Sequence, residues 1–307
     1  MGNGRKAFSS LFFTITIANA LASSLHAEEA RRLGLDPSGV GWNELKYEVS
    51  KLLLSAHSEL RLETIGQHEA QQRLAAPDGG PYIQPGNAGA THLTLTSRGL
   101  GQRSRVDFFL DPESGAALQR IQLEDAKKKR YKLSRFGRQG VHEHTQRPTE
   151  GERDLSWEQW TDITTTLVPF PSSLAPEAPI CEPSGLLYIV SAAALSAPGD
   201  RLEIPCFSKR SVSLVEIVVA EKTQIKVNHT LRRGDRRNHI KGRRDVLRLA
   251  LRAHPLEGSE AGFQLLGLRG DVDIYLDPGN RVPVQVSGRM PYAGRVRFRL
   301  TEATLVN

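Results

Sequence analysis

Residues 272–300 read VDIYLDPGNRVPVQVSGRMPYAGRVRFRL, and this stretch decides the fold class. Apolar residues occupy alternate positions in three runs, at Val272, Ile274 and Leu276, at Val282, Val284 and Val286, and at Val296, Phe298 and Leu300. Turn-forming sequences separate the runs at residues 277–280 and 290–294. Because successive side chains of a strand point to opposite faces, this alternation predicts three half-buried strands. Two turns that join three such strands make an antiparallel meander.

The same alternation recurs upstream, so the whole chain is predicted to be mainly β. It is clearest at Leu45, Tyr47 and Val49, at Val106, Phe108 and Leu110, and at Thr223, Ile225 and Val227. Strands with one apolar face favour antiparallel sheets with one solvated side. We therefore expect strongly curved, half-barrel-like sheets, which can enclose a ligand cavity.

Pro283 lies inside the middle strand of the predicted meander. A proline has no N–H to donate to a β-ladder, so this strand is expected at a sheet edge or with a bulge. An exposed edge at Pro283 would offer a contact for another protein of the cell envelope.

Two stretches rich in proline or glycine interrupt the strand pattern, at residues 75–90 and 169–183. The second is the predicted connector between an N-terminal β half, residues 40–168, and a C-terminal β half, residues 184–307. Immediately after the connector, residues 185–196 are poor in β-branched side chains beyond Val190 and precede Pro198-Gly199. This segment predicts one short helix.

The first 27 residues have the layout of a secretory signal peptide. Arg5 and Lys6 precede an uncharged apolar run over residues 7–22, and small residues follow before Glu28. Cleavage after Ala22 and cleavage after Ala27 both fit the pattern. We expect export to the periplasm, with full secretion as the alternative, and no transmembrane segment in the mature chain.

Composition narrows the class of protein. The chain has 307 residues, 39% of them hydrophobic, with a mean hydropathy of −0.37, which excludes a polytopic membrane protein. Its two cysteines exclude a disulfide-dense scaffold. Lys and Arg number 41 against 34 Asp and Glu, so the net charge is +7 and anionic partners are favoured.

The basic residues concentrate in residues 222–252, where eleven Lys or Arg face only two acids. The candidate anion contacts in this stretch are Arg232, Arg233, Arg236, Arg237, Arg243 and Arg244. Residues 127–138 form a second basic cluster, with seven bases and no acid. The second cluster contains Tyr131 and Phe136, but these are expected to serve a strand. Neither cluster then has the interleaved aromatic residues that stack on bases, so nucleic acid is not the expected partner. For an exported protein, the available anions are anionic lipids, lipopolysaccharide and wall polymers. The alternative interpretation of the basic stretch is a solvated flexible loop that binds no partner.

Few residues offer catalytic or metal chemistry. Cys181 and Cys206 lie 25 residues apart and predict a disulfide in an oxidising compartment, with two separate buried thiols as the alternative.

On a strand, His142 and His144 share one face, but two ligands are too few for a metal site. No nucleophile elbow, phosphate-binding glycine loop or zinc motif occurs, so no catalytic residue, cofactor or metal is predicted.

Three segments in order resemble an exported bacterial family known as domain of unknown function 3108. They are the opening strand at residues 45–49, residues 186–205 with their Pro-Gly-Asp turn, and the closing residues 274–294. The arginine-rich residues 228–244 and the Pro-rich connector depart from the family pattern. The resemblance implies a β-rich envelope protein and supplies no catalytic residue.

These observations favour a non-enzymatic protein with a binding or envelope-assembly role toward an anionic lipid or wall polymer. An enzyme acting on an envelope polymer is the first alternative, and it requires carboxylates or histidines that converge in one cavity. A structural partner of another envelope protein, with the strand at Pro283 as the contact, is the second alternative.

Overall fold

The protein is described by a computed structural model that covers residues 34–51, 54–76, 80–99, 102–125, 129–256, 262–291 and 293–306. The predicted signal peptide, residues 1–27, lies outside the described residues. The described part consists of fifteen strands, two short α-helices and several 3-10 turns.

The N-terminal half supplies eight strands, each paired antiparallel with the next along the chain. They are β1 (Trp42–Lys51), β2 (Leu54–Ile65), β3 (Ala90–Gly99), β4 (Gln102–Leu110), β5 (Ala117–Asp125), β6 (Arg130–Phe136), β7 (Gly140–Arg147) and β8 (Asp162–Pro169). Helix α1 (Gln67–Arg73) lies between β2 and β3 and buries Ala70. The strand pattern did not predict α1, which precedes the proline- and glycine-rich stretch at residues 75–90.

The C-terminal half supplies seven strands and the second helix. They are α2 (Leu186–Ala192), β9 (Arg201–Ser208), β10 (Ser211–Arg233), β11 (Arg236–Pro255), β12 (Gln264–Leu265), β13 (Leu268–Leu276), β14 (Pro283–Met290) and β15 (Gly294–Leu305). The strands β13, β14 and β15 form the predicted antiparallel meander.

All strands belong to one sheet, in the order β8-β7-β6-β5-β4-β3-β2-β1-β15-β14-β13-β11-β10-β9, with β12 beside β13. The first and last strands, β1 and β15, pair antiparallel and thereby join the two halves. The predicted mainly β fold with a strongly curved antiparallel sheet is confirmed.

Of the two predicted settings for Pro283, a sheet edge or a bulge, the structure has the bulge. Strand β14 is an interior strand between β13 and β15, and Pro283 is buried. The pairing of β13 with β14 shifts register between Tyr275 and Leu276, whose partner is Pro283. The bulge accommodates the missing N–H of the proline, whereas the interior position of β14 removes the exposed edge that the expected partner contact required. The outermost strands of the sheet are β8 and β9.

The core lies between the sheet and helix α2, all seven residues of which are buried. The helix confirms the prediction for residues 185–196 but ends earlier, at Ala192. Trp42 of β1 is fully buried and donates from Nε1 to Ser191 Oγ at 3.0 Å, which fixes the helix against the sheet. No helix in the described part of the chain is long and apolar enough to cross a lipid bilayer.

A disulfide joins Cys181 to Cys206, with Cα atoms 4.5 Å apart. Cys181 lies near the end of the Pro-rich connector and Cys206 lies in β9. The Cys181 N–H donates to Pro205 O of the same strand at 2.7 Å. The connector is therefore attached to the start of the C-terminal strands by both a covalent bond and backbone hydrogen bonds.

The arginine-rich stretch is a β-hairpin, so its interpretation as a flexible loop is wrong. Strands β10 and β11 pair continuously from Glu221 and Arg248 to Arg233 and Arg236. Gly234 has φ +54 at the first turn position, as a type II′ hairpin turn requires. We call residues 221–248 the arm. Near its tip, Thr230, Leu231 and Arg232 pair in parallel with Glu302, Ala303 and Thr304 of β15.

Candidate functional site

A cavity of about 630 Å³ lies between the arm and the strands β1, β14 and β15. This volume lies within the range of pockets that bind small molecules. Its lining residues are Glu48, Ile225, Lys226, Val227, Asn228, His229, Lys241, Gly242, Arg243, Val284, Gln285, Arg297, Arg299, Leu300 and Thr301. We call this space the basic cavity.

The position of the arm follows from a break in strand pairing. The register of β10 with β11 shifts between Val219 and Glu221, and such a bulge bends the strands that follow it. The bent arm then meets β15 through the parallel pairing near its tip. Ile225, Val227 and Leu231 are partly buried and pack against the main core. The arm is thus held at both ends, and the basic cavity lies along its length.

Cations dominate the charge of the basic cavity. Five of its side chains are cationic, namely Lys226, Lys241, Arg243, Arg297 and Arg299, while Glu48 is its one lining carboxylate. None of these five cations forms an ion pair with another residue in the described ranges. The cavity also has apolar lining residues, Ile225, Val227, Val284 and Leu300. Its surface therefore combines uncompensated positive charge with apolar contacts.

Like charges also face each other along the arm. Lys226 lies opposite Arg243, Arg232 opposite Arg237, and Arg233 opposite Arg236. Like charges directly opposite on paired strands are destabilising. Arg232 has partial compensation from Glu302, whose Oε1 lies 3.6 Å from its Nη1. These cross-strand pairs therefore do not stabilise the arm through their charges.

The six candidate anion contacts divide into three groups. Arg243 lines the basic cavity. Arg232 is partly buried beside Glu302, and Arg233, Arg236, Arg237 and Arg244 are exposed on the arm. The sequence interpretation missed Lys226, Lys241, Arg297 and Arg299 as lining residues. Arg297 and Arg299 alternate with the apolar residues of β15, but only the fold shows that the arm lies beside them.

His229 is the titratable group of the cavity that is most enclosed, with 4% of its surface exposed. Burial lowers the pKa of its imidazole, and the charges of His239 and Arg244 lower it further, while Asp277 opposes them. The ring is therefore neutral at pH 7, and it adds a hydrogen-bonding group without adding charge.

The second basic cluster, residues 127–138, is mostly engaged within the protein. Arg130 pairs with Glu124 at 2.9 Å and Lys132 pairs with Glu143 at 2.6 Å. Arg135 is fully buried and donates to the carbonyl oxygens of Ala75, Leu118 and Ile83. Burial lowers its pKa to about 10. Lys127 and Lys128 lie outside the described residues.

The His-Glu-His sequence does not form a joint ligand set. Residues 142 and 144 share one face of β7, and Glu143 lies on the other face. His142 contacts the ring of Tyr82 edge-on at 5.0 Å, and His144 Nδ1 lies 3.2 Å from Thr165 Oγ1. Within the described ranges, no group of three or more metal-ligating side chains is placed to hold an ion.

Comparison of the chain with protein-family models, with curated proteins and with solved structures finds no match. The candidate function therefore depends on the geometry and charge of the cavity alone.

Proposed function

We propose that the protein binds an anionic amphiphile, such as a lipid with a phosphate or carboxylate headgroup, in the basic cavity. The observation that carries the proposal is that one half-open cavity combines apolar lining with five exposed cations that have no ion-pair partner in the described ranges. The cations would bind the headgroup by charge-assisted hydrogen bonds. The apolar residues would cover the first part of the acyl chain, because burial of apolar surface is favourable.

The exposed arginines of the arm would act before binding in the cavity. Arg233, Arg236 and Arg237 lie at the arm tip and raise the local positive potential. Such a potential increases the rate of encounter with an anionic surface and weakens as salt screens it. If residues 1–27 direct export as predicted, the arm would face the lipids of the cell envelope from the periplasm. The role is binding, with no reaction assigned to the cavity.

The test is calorimetric titration of the purified protein with dodecyl phosphate, inorganic phosphate and dodecyl maltoside. The cavity variant carries Arg243→Gln and Arg297→Gln, which remove one cation from the arm and one from β15. Its matched control carries Arg98→Gln and Arg103→Gln, an exposed arginine pair that faces across β3 and β4. Both variants lose the same net charge.

We expect dodecyl phosphate to bind, and inorganic phosphate and dodecyl maltoside to bind much more weakly, because each lacks one half of the recognised chemistry. The cavity variant should bind dodecyl phosphate about tenfold or more weakly, since charged hydrogen bonds contribute about 1.5–3 kcal/mol each. The control should stay close to the unmodified protein. If both variants lost the same affinity for dodecyl phosphate, net charge alone would explain the loss, and the proposal would be contradicted.

A further inference from the structure

A second concave space, distinct from the basic cavity, lies on the inner face of the N-terminal strands. Its volume is about 720 Å³, and it is lined by residues of the strands β3–β7, by residues 182–184, by the end of β9 with the β9–β10 turn, and by residues 264–267. We call it the polar cleft. The cleft and the basic cavity have no lining residue in common.

The wall of the polar cleft is unusual for the inner face of a curved sheet. Alternate residues of β5, namely Arg120, Gln122 and Glu124, lie in the cleft and form a chain of hydrogen bonds. Their cross-strand partners on β6 are Ser134, Lys132 and Arg130. The inner face of a curved sheet normally forms the apolar core, and charges are costly to bury. A polar inner wall therefore indicates a space that holds water or a polar ligand.

The three acids of the cleft are all paired, and the cleft lining has two more cations than acids. Arg120 pairs with Glu182 at 3.0 Å, Arg130 with Glu124 at 2.9 Å and Lys132 with Glu143 at 2.6 Å. Arg210 is left with a longer contact of 3.6 Å to the already paired Glu143. Lys209 has no ion pair with a residue of the described ranges, and burial together with Arg269 lowers its pKa. The cleft thus carries excess positive charge at Lys209 and Arg210.

These two cations are held in a strained turn. Lys209 and Arg210 have φ +50 and +67 in the two-residue turn between β9 and β10. A type I′ turn requires positive φ at both positions and favours Asn-Gly. Leu266, with φ +51, lies in a second such turn that also lines the cleft. Three of the four non-glycine residues with positive φ in the described part therefore lie at the cleft, and such strain is concentrated at functional sites.

We propose that the polar cleft binds an acidic saccharide. Lys209 and Arg210 would bind its carboxylate or phosphate. The carboxylates of Glu143 and Glu182, both more than nine-tenths buried, accept hydrogen bonds from sugar hydroxyls but repel a bare anion. Ser97, Ser104 and Gln264 add further hydroxyl and amide groups. The mixture of acids, cations and hydroxyls fits a polyhydroxylated anion better than an inorganic phosphate or a lipid headgroup alone.

The key variant is Lys209→Asn with Arg210→Gly, because it removes both cations and installs the preferred residues of a type I′ turn. Its melting temperature should equal or exceed that of the unmodified protein, so lost binding is not lost folding. The matched control is again Arg98→Gln with Arg103→Gln. Saturation-transfer NMR and calorimetry would measure binding of D-glucuronate, D-glucose, acetate and hexagalacturonate.

We expect glucuronate to bind, glucose and acetate to bind about tenfold or more weakly, and the turn variant to lose about tenfold in affinity. If hexagalacturonate binds more tightly than glucuronate, the natural ligand is a polymer. If the two bind equally, the natural ligand is a free sugar acid. Failure of both acidic saccharides to bind, binding of acetate as tight as that of glucuronate, or unchanged affinity in the turn variant would overturn the proposal. Binding of dodecyl phosphate by the turn variant should be unchanged, which separates this site from the basic cavity.

Discussion

Individual arginines in this protein have three different roles, which their local contacts distinguish. Arg243 lines a cavity without an ion-pair partner in the described ranges, and Arg236 is exposed at the arm tip. Arg135 and Arg281 instead donate to backbone carbonyls inside the protein. A guanidinium has five N–H donors in a rigid plane, so one side chain can satisfy several carbonyl groups.

Arg281 is the clearest structural arginine. It donates from Nε to Ser191 O at 3.0 Å, from Nη1 to Leu195 O at 2.6 Å, and from Nη2 to Val190 O at 2.9 Å and to Ala193 O. These carbonyl groups lie at and beyond the end of α2, where a helix leaves its last acceptors unsatisfied. A cation there also complements the negative end of the helix dipole.

Replacement of Arg281 by methionine should destabilise the protein by about 2–4 kcal/mol, because the buried carbonyls would lose their donors. Urea unfolding would measure the loss. Arg281→Lys should retain part of the stability, and Arg244→Met, at an exposed position, should change stability by less than about 0.5 kcal/mol. A loss in Arg281→Met as small as that of Arg244→Met would contradict the role of Arg281 as a helix cap.

His229 should make stability depend on pH. Its folded-state pKa lies below the ordinary value of 6.5, so the native state favours the neutral ring. Near and below pH 6.5 the unfolded chain binds the proton more readily, so stability declines as the pH falls from 7 toward 5. Unfolding measured across this range should show a weaker decline for His229→Gln than for the unmodified protein. Parallel pH profiles for the two proteins would show that the buried ring is not responsible.

At the scale of elements, the arm is the part of the fold that the sequence could only partly predict. The alternation at Thr223, Ile225 and Val227 indicated a strand, but the arginines beyond it also fitted a loop. The decisive features are the bulge after Val219 and the pairing of Leu231 with Ala303. Both depend on contacts between distant segments, which alternation within one segment does not encode.

Glu143 shows the same limit at the polar cleft. Glu143 is the centre of a His-Glu-His sequence, and that pattern indicated only the two flanking histidines as candidate ligands, which lie on the opposite face of β7. Glu143 itself pairs with Lys132 across β6 and β7 and faces Arg210. These contacts follow from strand pairing and from the position of the β9–β10 turn. By contrast, the meander β13–β15 was predictable because its turns and its alternation both lie within residues 272–300.

The disulfide ties the Pro-rich connector to β9. Replacing both Cys181 and Cys206 by serine should lower stability by about 3 kcal/mol, because the bond closes a loop of 25 residues and restricts the unfolded chain. Denaturant unfolding of the variant, and of the unmodified protein with and without a reductant, would measure this. A reductant that leaves the unfolding midpoint of the unmodified protein unchanged would contradict the contribution of the bond.

On the scale of the whole molecule, one curved sheet supports two concave spaces of different chemistry. The basic cavity under the arm combines apolar residues with cations that have no ion pair to the described part of the chain, whereas the polar cleft combines ion pairs with hydroxyl and amide groups. We propose an anionic amphiphile as the ligand of the first space and an acidic saccharide as the ligand of the second. The pairing of β1 with β15 places both spaces on one continuous sheet.

The most direct test of the central claim is native mass spectrometry of the protein purified gently from its natural compartment, beside the Arg243→Gln, Arg297→Gln variant and the Arg98→Gln, Arg103→Gln control. We predict a lipid-sized anionic adduct on the unmodified protein and on the control, and its loss from the cavity variant. A chain that remains free of adduct when offered dodecyl phosphate, or an adduct that persists equally in the cavity variant, would contradict binding in the basic cavity.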